Sequence, residues 1–122
     1  MGFLLNGKRW VDRSEDFKTS STRAVRGNNT LYVKGLNSTS QLLFLFEDPK
    51  TGEYQLKNEE SVQLAYYNSD PEPVLLLNDS GNKLKITYYD GKIIAGTFQL
   101  VFKLHSGELL TITSGRFDIL IR

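Results

Sequence analysis

The sequence predicts an all-β protein, a single antiparallel β-sandwich or flattened barrel of about nine to eleven strands spanning residues 1–122. Three observations predict it. Apolar residues recur at every second position, and no window shows the i, i+3, i+4, i+7 spacing of an amphipathic helix. Turn-forming residues return roughly every 10 positions, the rhythm of short strands joined by reversals. A chain of 122 residues, 39% hydrophobic and 24% charged, buries one core without disulfide or metal and has no room for a second.

Element by element, Phe3-Leu4-Leu5 reads as a strand that Asn6-Gly7 turns back through a two-residue type I′ hairpin, because both residues accept positive φ. Trp10, just past that turn, reads as a core or rim anchor. Residues 14–29 are polar, with only Phe17, Ala24 and Val25 as apolar anchors, and suit one or two edge strands and a loop. Leu42 to Phe46 is apolar on both faces, as in a strand covered on both sides or pairing at the tightest part of the core. Asp48-Pro49-Lys50-Thr51-Gly52 reads as a type I turn closed by a glycine bulge. Val62, Leu64 and Tyr66 alternate with Gln63, Ala65 and Tyr67. Asp70-Pro71-Glu72-Pro73 contains two prolines that cannot donate to a ladder, so it marks a surface connection or a sheet edge.

Leu84, Ile86 and Tyr88 alternate with Lys85, Thr87 and Tyr89, and Asp90-Gly91 repeats the type I′ signal. Phe98, Leu100, Phe102 and Leu104 oppose Gln99, Val101, Lys103 and His105. Phe117, Ile119 and Ile121 oppose Asp118, Leu120 and Arg122. Asp79-Ser80-Gly81-Asn82, Ser106-Gly107 and Ser114-Gly115 mark three more reversals. The expected core is Leu31, Val33, Leu43, Leu45, Tyr54, Leu56, Leu64, Leu76, Leu84, Ile86, Phe98, Leu100, Phe102, Leu110, Ile112, Phe117, Ile119 and Ile121.

The totals exclude several chemistries. Without cysteine there is no thiol nucleophile, thiolate zinc site or disulfide, and the single histidine, His105, leaves no two-histidine metal site. No glycine-rich phosphate loop and no Gly-x-Ser-x-Gly elbow can be written along the chain. The carboxylate pairs Glu47-Asp48, Glu59-Glu60 and Asp70/Glu72 fall at turns or strand ends, where they are solvated. No catalytic residue, metal or cofactor is therefore expected, and the protein is read as a non-enzyme. The longest apolar runs fall far short of the roughly 20 residues of a membrane-spanning helix.

Charge is unevenly distributed. Residues 1–34 carry a net +4, residues 47–79 a net −6 and residues 80–122 a net +3. That pattern suits a polarised surface offered to an anionic partner. Strands from these segments are instead expected to interleave in the sheet and mix the charges.

The tyrosine pairs carry the one functional hint. In Tyr66-Tyr67 and Tyr88-Tyr89 the pleat turns one ring in and one out, so Tyr67 and Tyr89 are the candidate ligand-binding residues. Exposed rings stack on sugars, or on bases with Lys85 beside them, although tyrosine also stabilises strands through cross-strand pairs. Nucleic acid is not an expected partner.

At Leu5-Asn6-Gly7-Lys8-Arg9-Trp10, at Asp90-Gly91-Lys92-Ile93-Ile94-Ala95-Gly96-Thr97-Phe98 and at Ser114-Gly115-Arg116-Phe117 the chain resembles an uncharacterised family. Its members are small all-β domains of secreted, often lipid-anchored proteins of Gram-negative gut-type bacteria. Their pattern is Asn-Gly-x-x-Trp, a late Gly-x-Phe strand and a closing Asn/Ser-Gly-x-Phe strand; here Ala95 and Ser114 stand where serine and asparagine are usual. The resemblance implies an antiparallel sandwich, export to the periplasm, outer membrane or cell surface, and a signal peptide and lipidated cysteine upstream, through which alone the protein would meet a membrane. A cytoplasmic location stays open. It implies no activity. The expected function is a non-catalytic envelope or surface module binding a glycan or an envelope protein. The alternative is a lipocalin-like carrier closing on a small apolar ligand.

Overall fold

Asn6 and Gly7 adopt φ of 48° and 80°, the two left-handed positions of a type I′ turn. They fold Gly2–Leu5 (β1) back on Lys8–Val11 (β2) in direct register. The computed structural model describes residues 1–12, 22–56, 59–66 and 72–122. Beyond that hairpin the strands are Arg23–Arg26 (β3), Thr30–Leu36 (β4), Ser40–Glu47 (β5), Gly52–Glu53 (β6), Val62–Tyr66 (β7), Val74–Leu75 (β8), Lys83–Tyr89 (β9), Ile93–Lys103 (β10) and Leu109–Leu120 (β11). Among the described residues the one helical element is a single 3₁₀ turn, Glu59–Ser61.

Two antiparallel sheets pack face to face as a sandwich and do not close into a barrel. The larger has the order β2-β1-β11-β10-β9-β6, and β8 pairs the far end of β10 beyond the reach of β9. The smaller has the order β3-β4-β5-β7. One corner is stitched: past its pairing with β1, the end of β11 reaches β3 through a parallel bridge from Ile121 to Ala24, and the Arg122 amide donates to the Ala24 carbonyl at 2.9 Å. Trp10 joins the layers elsewhere. Its ring stacks on Phe3 with centroids 4.4 Å apart, and its indole N–H donates to the buried Ser40 hydroxyl on β5 at 2.8 Å. The core-anchor reading of Trp10 holds.

An aromatic cluster fills the centre. Phe44 meets Phe98 edge-on at 4.8 Å, Phe46 at 5.8 Å and Phe117 at 5.7 Å. Phe46 in turn meets Tyr54 edge-on at 5.1 Å. Such pairs add about 0.5–1.5 kcal/mol each beyond the area they bury. The inward set of β5 is thus Leu42, Phe44 and Phe46, all fully buried, whereas the expected Leu43 and Leu45 face outward and are half-buried. A strand apolar on both faces has no alternation from which its phase can be read. On β8 the buried residue is likewise Leu75 rather than Leu76. Leu31, Val33, Leu64, Leu84, Ile86, Phe98, Leu100, Phe102, Leu110, Ile112 and Phe117 are buried as expected, and Tyr54, Leu56, Ile119 and Ile121 pack half-buried against them.

Two Gly-x-Phe segments lie opposite each other at the middle of the larger sheet. Gly96 on β10 pairs Phe117 on β11, and Phe98 on β10 pairs Gly115 on β11. Each ring covers the glycine facing it: a Cβ at Gly115 would stand 2.4 Å from the Phe98 ring, and one at Gly96 would stand 2.7 Å from Phe117 and from the Lys85 carbonyl oxygen. Aromatic rings shielding cross-strand glycines let the two strands carry large side chains where the inner face is crowded. The residue between, Thr97 or Arg116, is turned outward, and these two pair with each other.

Turn chemistry departs from expectation at two places. Ser114-Gly115 is no reversal but a bulge inside β11, where Ser114 takes φ 51° and the register slips between Phe98 and Leu100. Ser106-Gly107 makes the actual reversal between β10 and β11, with Gly107 at φ 92°. Asp90 is absent from the left-handed region, so Asp90-Gly91 is not type I′. Its carboxylate instead accepts the Lys92 and Ile93 amides at 2.8 Å, an Asx turn that leaves the left-handed step to Gly91 alone. Because a left-handed residue with a Cβ is strained by about 1–2 kcal/mol and asparagine tolerates it best, Ser114→Asn is expected to stabilise the fold by about 0.5–1 kcal/mol. Chemical denaturation measures it; a loss of stability would contradict a strained Ser114.

Candidate functional site

Strand register assembles one polar face. On the outer side of the larger sheet, Arg116, Thr97, Lys85 and Glu53 form a single row across β11, β10, β9 and β6. On one side of it lies the row Asp118, Ala95, Tyr88; on the other lie Ser114 and Gln99, with Lys83 opposite Gln99. Neighbouring strands are about 4.8 Å apart, so Arg116 and Lys85 flank Thr97 at roughly 10 Å from each other.

The face is concave. Bulges in β9–β10 and in β10–β11 add local twist to the three central strands, and the segment after β6 and the β8–β9 turn rise beside them. The result is a groove of about 810 Å³ lined by residues 53–56, Leu77, residues 82–85, 97–99 and 114–116. Asn82 braces its wall: the side-chain amide donates to the Leu76 carbonyl while its oxygen accepts the Val101 amide at 2.8 Å.

Topology also keeps the charge segregated. The sheet places β1 beside β11 and β2 outside β1, so that Arg9 from the basic first part of the chain lies in the same sheet as the basic last part, while Arg23, Arg26 and Lys34 go to the smaller sheet. The register therefore turns Arg9, Lys83, Lys85, Lys103 and Arg116 to this face, against Glu53 and Asp118. The expectation that interleaving would mix the charges does not hold on this face, because the acidic segment contributes only the two-residue strands β6 and β8, whose one charged residue is Glu53. Among the described residues Lys83, Lys85 and Arg116 make no ion pair.

The aromatic expectation changes. Tyr89 was expected to point outward, yet it is half-buried and packs against the core, while Tyr88 is 49% exposed. The cause is the β9 bulge: Ile86 pairs Gly96 and Tyr88 pairs Ala95, so Thr87 is an extra residue that inverts the alternation behind it. Tyr67, the other candidate, lies outside the described residues. The signal that could have located the groove was in the two Gly-x-Phe motifs, whose middle residues must face outward together.

The Tyr88 hydroxyl donates to the Asp90 carboxylate at 2.9 Å. Asp90 is held below the usual carboxylate range, first by the Ile93 and Lys92 amides and then by Tyr88, and the same bond raises the Tyr88 phenol above its usual value. A lowered carboxylate stabilises the fold above its unfolded value, and that contribution disappears as pH falls through the lower folded value. Tyr88→Phe should return the Asp90 titration part of the way upward, as read by NMR of the side-chain carboxyl; an unchanged midpoint would contradict the role of the hydroxyl.

Glu47, Asp48, Glu60 and Glu72 are not among the groove's lining residues, whose carboxylate among the described residues is Glu53; Asp70 lies outside the described residues, and His105 is exposed in the β10–β11 loop. Among the described residues no group of three or more His, Cys, Asp or Glu is placed to hold a metal ion, and no helix is long and apolar enough to cross a membrane. A family model described as a domain of unknown function, DUF6252, matches residues 11–119. No curated protein and no solved structure matches the chain.

Proposed function

Because the chain belongs to the DUF6252 family, which comes with no activity to inherit, we propose from its own geometry that it is a non-catalytic binding module of the cell envelope or surface and that its ligand is a glycan. The observation that carries this reading is the groove over β9, β10 and β11, in which Lys85, Thr97, Gln99 and Arg116 stand beside Leu56 and Leu77, with the exposed Tyr88 ring one row away. Thr97, Gln99 and Ser114 offer donors and acceptors to hydroxyl groups. Two residues along a strand cover about 7 Å, so a sugar stacked on Tyr88 adjoins the Arg116, Thr97, Lys85 row. The envelope location follows the family resemblance in the Asn-Gly-x-x-Trp and Gly-x-Phe segments. The carrier alternative draws no support from an open sandwich whose centre is filled by aromatic rings.

A thermal-shift screen of neutral and charged polysaccharides tests the reading. A ligand at about 100 times its dissociation constant adds roughly 2.7 kcal/mol, a rise of several degrees in a domain of this size. Thr97→Trp, which fills the groove from an exposed position, should abolish the shift and leave the unliganded Tm close to that of the parent. The reading fails if no polysaccharide shifts Tm, or if the shift survives Thr97→Trp.

A further inference from the structure

Resting on that reading, we infer that the groove selects acidic glycans, taking the carboxylate of a uronic acid between Arg116 and Lys85. Three independent features point there. The first is the row itself. Arg116 and Lys85 stand on either side of Thr97 in strict register, both exposed, and among the described residues neither is neutralised by an ion pair. Two cations held apart by a rigid sheet form a ready seat for an anion that bridges them. The planar guanidinium of Arg116 suits a carboxylate through two parallel hydrogen bonds.

The second feature is the field around the row. Lys83 adds a third cation inside the groove, and Arg9 and Lys103 lie on the same face outside it, so an approaching polyanion meets one sign of charge over most of the surface. Glu53, at the end of the row, limits the anionic seat to the Lys85–Arg116 side. The third is the neighbouring ring. A face built only for an acidic polypeptide needs no exposed aromatic platform. Here Tyr88 is held in place by its bond to Asp90 and by the bulge that turned it outward, and it offers a sugar ring an apolar surface beside the charged one.

The test uses polygalacturonate, the same polymer with its carboxyls methyl-esterified, and polyglutamate, each titrated calorimetrically against the full chain. Polygalacturonate is expected to bind at least about tenfold more tightly than its ester, and Arg116→Gln or Lys85→Gln to weaken it by about tenfold each. Raising salt should erode that preference, because exposed charges are screened over about 8 Å at physiological ionic strength. Arg23→Gln, exposed on β3 of the smaller sheet, should leave binding unchanged, and Tyr88→Ala should weaken acid and ester alike. Unchanged Tm in each variant shows that the exposed substitutions leave the fold intact.

Equal binding of acid and ester, with Arg116→Gln harmless, would overturn the acidic preference while leaving a neutral-glycan site. Polyglutamate binding as tightly as polygalacturonate, with Tyr88→Ala without effect, would overturn it in favour of an acidic polypeptide. Failure of all three polymers, together with a silent polysaccharide screen, would remove the glycan reading itself.

Discussion

Phe44→Ala is expected to destabilise the protein by about 3–5 kcal/mol, lowering Tm by roughly 10 °C or more, whereas Leu43→Ala on the same strand costs only about 1 kcal/mol. The two residues are adjacent and both apolar; the sheet alone separates them. Phe44 is fully buried and its ring meets Phe46, Phe98 and Phe117, so truncation removes the contact that joins the inner face of the smaller sheet to that of the larger. The surrounding rings are tied to different strands and cannot all collapse into the space. Leu43 pairs Lys34 and Gln63 on the outward face and is only half-buried. Equal costs in urea denaturation, or the larger one at Leu43, would show that β5 has the opposite phase.

Gly115→Ala should cost about 2–3 kcal/mol through overpacking alone. The added methyl would stand 2.4 Å from two carbons of the Phe98 ring and 2.6 Å from a third, and the ring is held on its other side by Phe44 at 4.8 Å. The clash is with a side chain, so it can be relieved. In a Phe98→Leu background the same Gly115→Ala change should be nearly neutral, giving a coupling energy of at least about 1 kcal/mol in a double-mutant cycle. Gly96→Ala is the informative contrast. Its Cβ would meet the Lys85 backbone oxygen as well as Phe117, both at 2.7 Å, so shrinking Phe117 should not rescue it. Additive effects at Gly115 and Phe98 would contradict the ring-over-glycine pairing. The same pairing turns Thr97 and Arg116 outward, so Gly115→Ala is also expected to disturb the groove.

Most of the fold was legible locally. Asn6-Gly7, Asp79 to Asn82 and Ser106-Gly107 turn where their backbone preferences place turns, and the alternation in β7, β10 and the end of β11 faces the core as it reads. What failed were features that adjacent residues do not encode. Leu42 to Phe46 is apolar at every position, so only the partner sheet decides which three side chains are buried. Ser114-Gly115 carries a left-handed residue, and local sequence does not tell a bulge from a turn; the long pairing of β11 with β10 on one side and β1 on the other decides it.

The candidate site shows the same division. Tyrosine pairs at 66–67 and 88–89 were visible, but the Thr87 bulge exchanged the exposures of Tyr88 and Tyr89, because one inserted residue inverts every side chain behind it. By itself the sequence determined an antiparallel all-β domain, its hairpin turns, most of its core and two basic segments flanking an acidic one. Only the tertiary structure decided that the sheets stay open as a sandwich, that Arg9 of the first basic segment joins cations of the last on one face, and that Arg116, Thr97 and Lys85 meet in a row. The physical reason is that turns and alternation are set by the chain within a few residues, whereas register brings together Arg116 and Lys85, 31 residues apart, and is fixed only when the whole core packs.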